Sequence, residues 1–311
     1  MILSGFKTQN HSDSIVVVLC FVGFWIKLKL MIKEKIKKVH IFTDEYNPDA
    51  KKWSEKTEEW LRINRPEISF DKENPDLVVS LGGDGTIISA STEYMDKAVL
   101  IAGFNLGLVG FLATVRGEEN FITSLERIFE GDFDVLERMT LEIFVKRDEK
   151  VVYQVKALND LVIENLLGVV ELGVYLEGFN MQNIRGTGIV VSTPTGSTAF
   201  NMSAHGPIIM PNIKCMILTE LMDHNVPTPP VVIKHDSQVE IVVNHFRERD
   251  WFKTTFDNET ANVVLTVDGK QPFVLNVGDR IKVTRAEKLA KFIELEKNYF
   301  FKSLQEKFSF E

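Results

Sequence analysis

The run Leu77-Val78-Val79-Ser80-Leu81 stops at Gly82-Gly83-Asp84-Gly85-Thr86, and this turn holds the residue types best suited to chemistry. A continuous apolar, β-branched run reads as a buried parallel strand. A glycine turn leading from such a strand into a helix aims backbone N–H groups and the positive end of the helix dipole at an anion. Gly82, Gly83, Gly85 and Thr86 are therefore candidate phosphate-binding positions. Asp84 does not suit that task alone, because a carboxylate repels phosphate. Its side chain can take a proton from a hydroxyl being phosphorylated, hold the magnesium of a nucleotide, or simply cap the next helix. The turn by itself does not choose a substrate among sugars, lipids and nucleotides.

Three further clusters carry polar chemistry. Gly103-Phe104-Asn105-Leu106-Gly107-Leu108-Val109-Gly110-Phe111-Leu112 follows a second apolar run. Asn105 stands at its turn, and Phe111 either stacks on a flat ring or lies buried beneath the turn. Asn159-Asp160 interrupts an apolar stretch; a polar pair there must be satisfied or it costs about 1–3 kcal/mol per group, and ribose hydroxyls would satisfy it. Ser192-Thr193-Pro194-Thr195-Gly196-Ser197-Thr198-Ala199-Phe200-Asn201-Met202-Ser203 crowds hydroxyls that suit sugar, phosphate or base edges, with a solvated loop as the plainer reading. It holds no G-x-S-x-G elbow for a serine nucleophile. Asp268-Gly269 reads as a hairpin turn, and His224 as a structural histidine.

The elements expected to position these clusters change character along the chain. Strands at Val39–Thr43, Ile68–Phe70, Leu77–Leu81 and Val99–Phe104 alternate with helices over Ala50–Ile63, after Gly85, and over Glu118–Phe129. Such alternation implies a parallel sheet covered by helices, with ligands beyond the carboxyl ends of its strands. Trp53 and Trp60, seven apart, share a helix face that reads as core. After Gly131 many short strands (Leu141–Lys146, Val151–Leu158, Leu161–Ile163, Leu172–Leu176, Gly188–Ser192, Val231–Ile233, Val239–Val243, Val263–Val267, Arg280–Thr284) predict an antiparallel, sandwich-like second domain. Ile213–Leu221 reads as its one clear helix. A final strand at Phe292–Leu295 and a helix at Phe300–Phe308 are expected to return to the first domain. The division is thus 1–30 as an atypical extension, 31–133 as an α/β domain, 134–288 as a β-rich domain and 289–311 as the returning segment.

Composition narrows the partners. The chain has 311 residues, 44% hydrophobic and 26% charged, with a net charge of −8, which argues against nucleic acid as the main partner. Its two cysteines, Cys20 and Cys215, form neither a disulfide framework nor a metal-ligand spacing, and a cytoplasmic setting is expected. Ile15–Ile26 is apolar but short for a membrane span. Lysines follow it in place of a cleavage site, and Met31 opens a more typical enzyme start. A start codon assigned too early is the favoured reading of residues 1–30, with a weak membrane anchor as the alternative. The stretch is expected to be dispensable, and no membrane partner is expected.

Taken together, PDLVVSLGGDGT, GFNLGLVGFLA, ALNDLVI, STPTGSTAFNMSA with the following Gly206-Pro207, and AKFIEL…FFKSLQEKF resemble the NAD kinases, over about residues 35–311. The resemblance implies transfer of a phosphoryl group from ATP or polyphosphate, with Mg²⁺, to the 2′-hydroxyl of the adenosine ribose of NAD. It implies Asp84 as the base, Gly82, Gly83, Gly85 and Thr86 at the donor phosphates, and Phe111 on the adenine. It implies Asn159 and Asp160 on ribose hydroxyls, and Thr198, Ala199 and Ser203 lining the adenine and nicotinamide pockets. Asn105, Arg185, Thr187, Thr195, Ser197 and Phe200 complete the candidate NAD and donor contacts. It also implies a homodimer or homotetramer whose NAD sites are completed by a neighbouring subunit. The chain departs from the family's pattern at Phe200, where Tyr is usual, at Thr187, where Asp is common, and at Pro229, where a basic residue is common. A lipid kinase of the diacylglycerol or sphingosine type shares GGDG and is one alternative; a dinucleotide-binding module with reduced catalysis is the other.

Overall fold

The computed structural model describes residues 36–44, 46–97, 99–107, 110–224, 228–247, 254–256, 259–270 and 272–308. The expectations for residues 1–30, for Cys20 and for Leu108-Val109 fall outside them.

The first sheet runs in the order Ser69–Phe70, Lys38–Thr43, Leu77–Gly82, Leu100–Asn105, Ala290–Glu294, Asp134–Arg138. Val115–Arg116 also pairs with Leu100–Asn105. Every pairing is parallel except the last, where Asp134–Arg138 runs against Ala290–Glu294. Leu77, Val79 and Leu81 face one core with Trp53, Leu61, Phe121 and Leu125, while Val78 faces another with Ile87, Ala90 and Tyr94. Helices Pro48–Asn64 and Phe121–Glu130 therefore cover one face and helix Asp84–Tyr94 the other. A strand buried on both sides needs apolar residues on both, which is why Leu77–Leu81 shows no alternation.

Local signals set the helix ends. The Asn47 side chain accepts the N–H groups of Asp49 and Ala50, with Pro48 at the start of the helix. Gly131, at φ 75°, closes Phe121–Glu130. Trp53 meets Phe121 edge-on at 4.8 Å between centroids, and Trp60 lies against Phe129, so both tryptophans are packing residues.

The second region holds two six-stranded antiparallel sheets and a two-stranded pair, Thr254–Phe256 with Glu259–Ala261. One large sheet is ordered Phe179–Gly186, Val170–Leu176, Val239–Phe246, Arg280–Arg285, Leu141–Arg147, Lys150–Ala157. The other is ordered Val231–Lys234, Cys215–Leu221, Gly188–Ser192, Asp160–Asn165, Val263–Val267, Phe273–Leu275. Leu141, Ile143 and Ile241 from the first share one core with Leu161, Ile163, Val191 and Leu265 from the second. The sheets thus pack as a sandwich.

One expected element is corrected. Ile213–Leu221 is not a helix; Cys215–Leu221 is a strand paired with Gly188–Ser192. A short, continuous apolar run fits a buried helix or a buried strand equally, and here the sheet supplies the partner. Among the described residues six strands go beyond the expected set: Val115–Arg116, Asp134–Arg138, Phe179–Gly186, Thr254–Phe256, Glu259–Ala261 and Phe273–Leu275. Asp134–Arg138 pairs into the first sheet, although it follows Gly131 in the chain. Phe179–Gly186 is an edge strand in which apolar Phe179 and Met181 alternate but Ile184 falls out of step, so the alternation is too short to read as a strand. Among the described residues, no helix is long and apolar enough to cross a membrane.

Candidate active site

The strand Leu77–Gly82 delivers its turn to the carboxyl edge of the first sheet. Gly82 must lack a side chain, since a Cβ there would fall 2.3 Å from Thr86 Oγ1. Gly83 is the N-cap of helix Asp84–Tyr94, and no side chain caps that helix. The capping role for Asp84 is therefore set aside. Its Oδ2 instead accepts the Phe111 N–H at 2.8 Å, from the neighbouring turn. Its Oδ1 is buried with no hydrogen-bond partner among the described residues. An unpaired buried carboxylate oxygen costs free energy, which a proton-bearing ligand group would recover. Beside the turn lies a cavity of about 610 Å³ lined in part by Thr43, Asp44, Tyr46, Gly83, Gly85 and Thr86.

Asn105 lies opposite Gly82 in the parallel register. It is buried, and its Oδ1 accepts the Gly107 N–H at 2.6 Å, so it shapes the second glycine turn. That turn returns to Asp84, for a Cβ on Gly110 would sit 2.0 Å from Asp84 Oδ1. Phe111 is only 5% exposed. The C-terminal helix Tyr299–Phe308 covers it, with the Phe300 ring 5.9 Å away and Lys307 Nζ 5.2 Å from its centroid. Arg116 docks this helix by donating to Gly110 O at 3.0 Å, to Tyr299 Oη at 2.8 Å, and to Ser303.

Arg138 joins the two halves of the site, and nothing in the sequence reading singles it out. It ends the strand Asp134–Arg138 and is buried. It donates to Thr195 Oγ1 at 3.3 Å and makes a longer contact to Phe111 O at 3.5 Å. Burial pulls its pKa down to about 10, while the charges of Asp84 and then Glu294 act to hold it up. The guanidinium stays charged at neutral pH, as a cation facing the Asp84 carboxylate. A lone arginine among Leu136, Glu137 and Met139 carries no sequence signal of this placement.

From the sandwich, Asn159 and Asp160 arrive at the same end as the hydroxyl-rich loop, because Asp160 pairs with Ser192. Both are buried. Asp160 accepts the Phe200 N–H, and its Oδ2 has no partner among the described residues. Burial, then the charge of Asp268, pushes its carboxyl up to about 7. Thr195 and Thr198 are buried, Ala199 is half-buried, and Phe200 and Ser203 are exposed. Ser197 is fully buried, donating to Pro194 O at 2.6 Å and accepting the Ile209 N–H at 3.0 Å. Its hydroxyl shapes the loop and faces no open space.

Arg185 and Thr187 are not brought to this end. Gly188 pairs with Glu164, at the far end of the strand that carries Ser192 toward the loop. Thr187 donates its N–H to Leu221 O at 2.8 Å, and Arg185 forms an exposed ion pair with Glu171 at 3.3 Å. His224 is exposed and donates its N–H to Arg185 O.

The chain matches the family model for the ATP-NAD kinase N-terminal domain over residues 15–133 and that for the ATP-NAD kinase C-terminal domain over residues 158–295. The first match begins inside the 1–30 stretch. The NAD kinase of Geotalea daltonii is 31% identical over 292 residues, covering 88% of this chain and 98% of the relative. That of Natranaerobius thermophilus is 36% identical over 234 residues, covering 75% and 77%. Among solved structures, yeast NADH kinase complexed with NADH aligns with a TM-score of 0.78 at 22% identity, over 89% of this chain and 88% of that one. An NAD kinase from Archaeoglobus fulgidus in complex with ATP aligns with a TM-score of 0.67 at 21% identity, over 86% and 98%. These two share the fold. With both domain models matched in order and full-length relatives above 30% identity, the chain belongs to the NAD kinase family.

Proposed function

We propose that this chain transfers the terminal phosphoryl group of ATP, or of polyphosphate, to the 2′-hydroxyl of the adenosine ribose of NAD. The observation that carries the reading is Asp84 Oδ1, buried and unpartnered among the described residues, in a turn suited to phosphate. The 2′-oxygen attacks the terminal phosphorus, the bond from that phosphorus to the bridging oxygen breaks, and the hydroxyl proton passes to Asp84. NADP and the shortened donor leave. Gly82, Gly83, Gly85 and Thr86 hold donor phosphates in the adjoining cavity. Asn159 and Asp160 hold the ribose, and Thr198, Ala199 and Ser203 line the base pockets. Phosphoryl transfer depends mainly on such positioning and on charge neutralisation.

Magnesium fits this site as a companion of the donor. No cluster of three or more His, Cys, Asp or Glu side chains converges among the described residues, and Mg²⁺ needs only one or two carboxylates when phosphates and waters supply the rest. Asp44, which lines that adjoining cavity, would hold it, and the cation would neutralise charge on the donor. Membership of the NAD kinase family argues against the lipid-kinase alternative, and Asp84 argues against a module without catalysis. The resemblance also supports a homo-oligomer in which Arg185 and Thr187 of one copy serve the site of another.

A coupled assay that crosses NAD and NADH with ATP and polyphosphate tests the reading. NADP or NADPH should form with at least one pair in the presence of Mg²⁺. No phosphorylated dinucleotide with any pair would sink it.

A further inference from the structure

We infer that Asp268 is a positioning residue for the ribose-binding pair, holding Asn159 and Asp160 in place through their backbone; this rests on the NAD kinase reading above. Asp268 is more than a turn residue. It opens the connection between strands Val263–Val267 and Phe273–Leu275, at φ 51°, with Gly269 at φ 66°. From there its carboxylate accepts the N–H groups of Leu158 at 2.9 Å, Asn159 at 2.7 Å and Asp160 at 3.4 Å. In return, Asp268 donates its own N–H to Asp160 O at 3.1 Å.

These bonds fall where no ladder serves the first two of those groups. The strand Lys150–Ala157 has ended and the strand Asp160–Asn165 begins only at Asp160. Buried N–H groups at such a break must find acceptors elsewhere. The carbonyls of the same segment are held from the loop side: Thr193 Oγ1 donates to Leu158 O at 2.6 Å, and Thr193 N–H to Asn159 O at 2.8 Å. The segment is thus clamped between one carboxylate and one hydroxyl-rich loop, which fixes where the Asn159 and Asp160 side chains begin. Placing one more carboxylate beside Asp160 raises the proton affinity of that buried acid, so it is a costly way to build a turn. Its benefit lies in the three N–H groups that it fixes.

The test uses the full chain with Asp268→Asn and Asp268→Gly. Both residues tolerate positive φ, so the turn is kept while one or both carboxylate oxygens are lost. Steady-state kinetics with NAD and ATP varied separately should show kcat/KM for NAD falling by about 10- to 100-fold, a range set by the sensitivity of phosphoryl transfer to misplacement. KM for ATP should stay within about twofold, with Asp268→Gly the worse of the two. A second readout follows from charge. Asp268 and the Phe200 N–H act on Asp160, and Lys270 acts on Asp268. Removing the Asp268 charge should move the pH dependence of kcat/KM for NAD toward acid. Unchanged NAD kinetics in a folded variant overturns the inference. So does an equal loss toward NAD and ATP, or unfolding of both variants, since either assigns Asp268 to stability alone. If the wild-type chain phosphorylates no dinucleotide, the failure belongs to the functional reading and is seen before any variant is made.

Discussion

At the scale of single residues, Asp84 and Asp160 are two carboxylates placed in different surroundings. Asp84 keeps Oδ2 on the Phe111 N–H and faces the Arg138 cation, which leaves Oδ1 for a substrate proton. Asp84→Asn retains an acceptor for Phe111 and removes the carboxylate proposed as the base. Turnover should fall about 10²- to 10⁴-fold, while NAD affinity by calorimetry changes little; a fully active variant would leave Asp84 as a turn residue. Asp160 is instead buried beside Asp268, and its carboxyl is raised from 3.8 to about 7. Between those values the folded state holds a proton that the unfolded state has lost. Stability contributed by the protonated group is therefore complete at acid pH and is lost as pH rises toward about 7, with no further change above it. Asp160→Asn should remove much of the difference in Tm between about pH 4.5 and about pH 7.5. A variant with the wild-type difference would place that titration elsewhere.

At the scale of elements, the turn before Phe111 and the turn after Leu81 are built against each other. Gly110 leaves room for the Asp84 carboxylate, and a Cβ there would meet all of its terminal atoms within 2.6 Å. Because the obstacle is the end of a side chain and not backbone, Gly110→Ala should leave the fold intact and turn Asp84 away. Turnover should then drop about tenfold or more, with Tm lowered by only a few degrees, roughly the shift from 1 kcal/mol. A loss of Tm without loss of turnover would show that the two turns are coupled through packing only. The C-terminal helix belongs to the same assembly. Arg116 ties it to Gly110 O, and Phe300 and Lys307 lie over the ring expected to meet adenine.

At the scale of the whole molecule, the site spans two regions and leaves two candidate residues behind. The five-residue strand Gly188–Ser192 lies between Thr187 and Thr193, so the two stand roughly 20 Å apart. In the proposed homo-oligomer, Thr187 meets the NAD held by a second copy. Thr187→Asp would replace a neutral hydrogen bond by a charge-assisted one of about twice the strength. KM for NAD should fall several-fold, and the gain should vanish on dilution to the monomer, followed by sedimentation. If KM stays put or rises, the neighbouring subunit does not serve the site through this residue.

What the sequence determined by itself was local and periodic. The unbroken apolar run Leu77–Leu81, the glycines behind it and the alternation with helical segments specified a covered parallel sheet and the end at which a ligand would lie. Short strands separated by turns specified the antiparallel region. Asn159-Asp160 and the loop from Ser192 to Ser203 stood out because polar groups in apolar surroundings need partners. Tertiary structure decided the rest. Whether Cys215–Leu221 was helix or strand depended on the open side of Gly188–Ser192. Whether Asp84 capped its helix depended on Phe111, 27 residues away. Arg138 and Asp268 act on segments 57 and 109 residues distant, respectively Thr195 and Asn159. A sequence pattern records which face of an element is buried, because that repeats every few residues. It does not record which distant backbone groups a single carboxylate or guanidinium will meet, because only the folding of the sheets brings them within hydrogen-bond range.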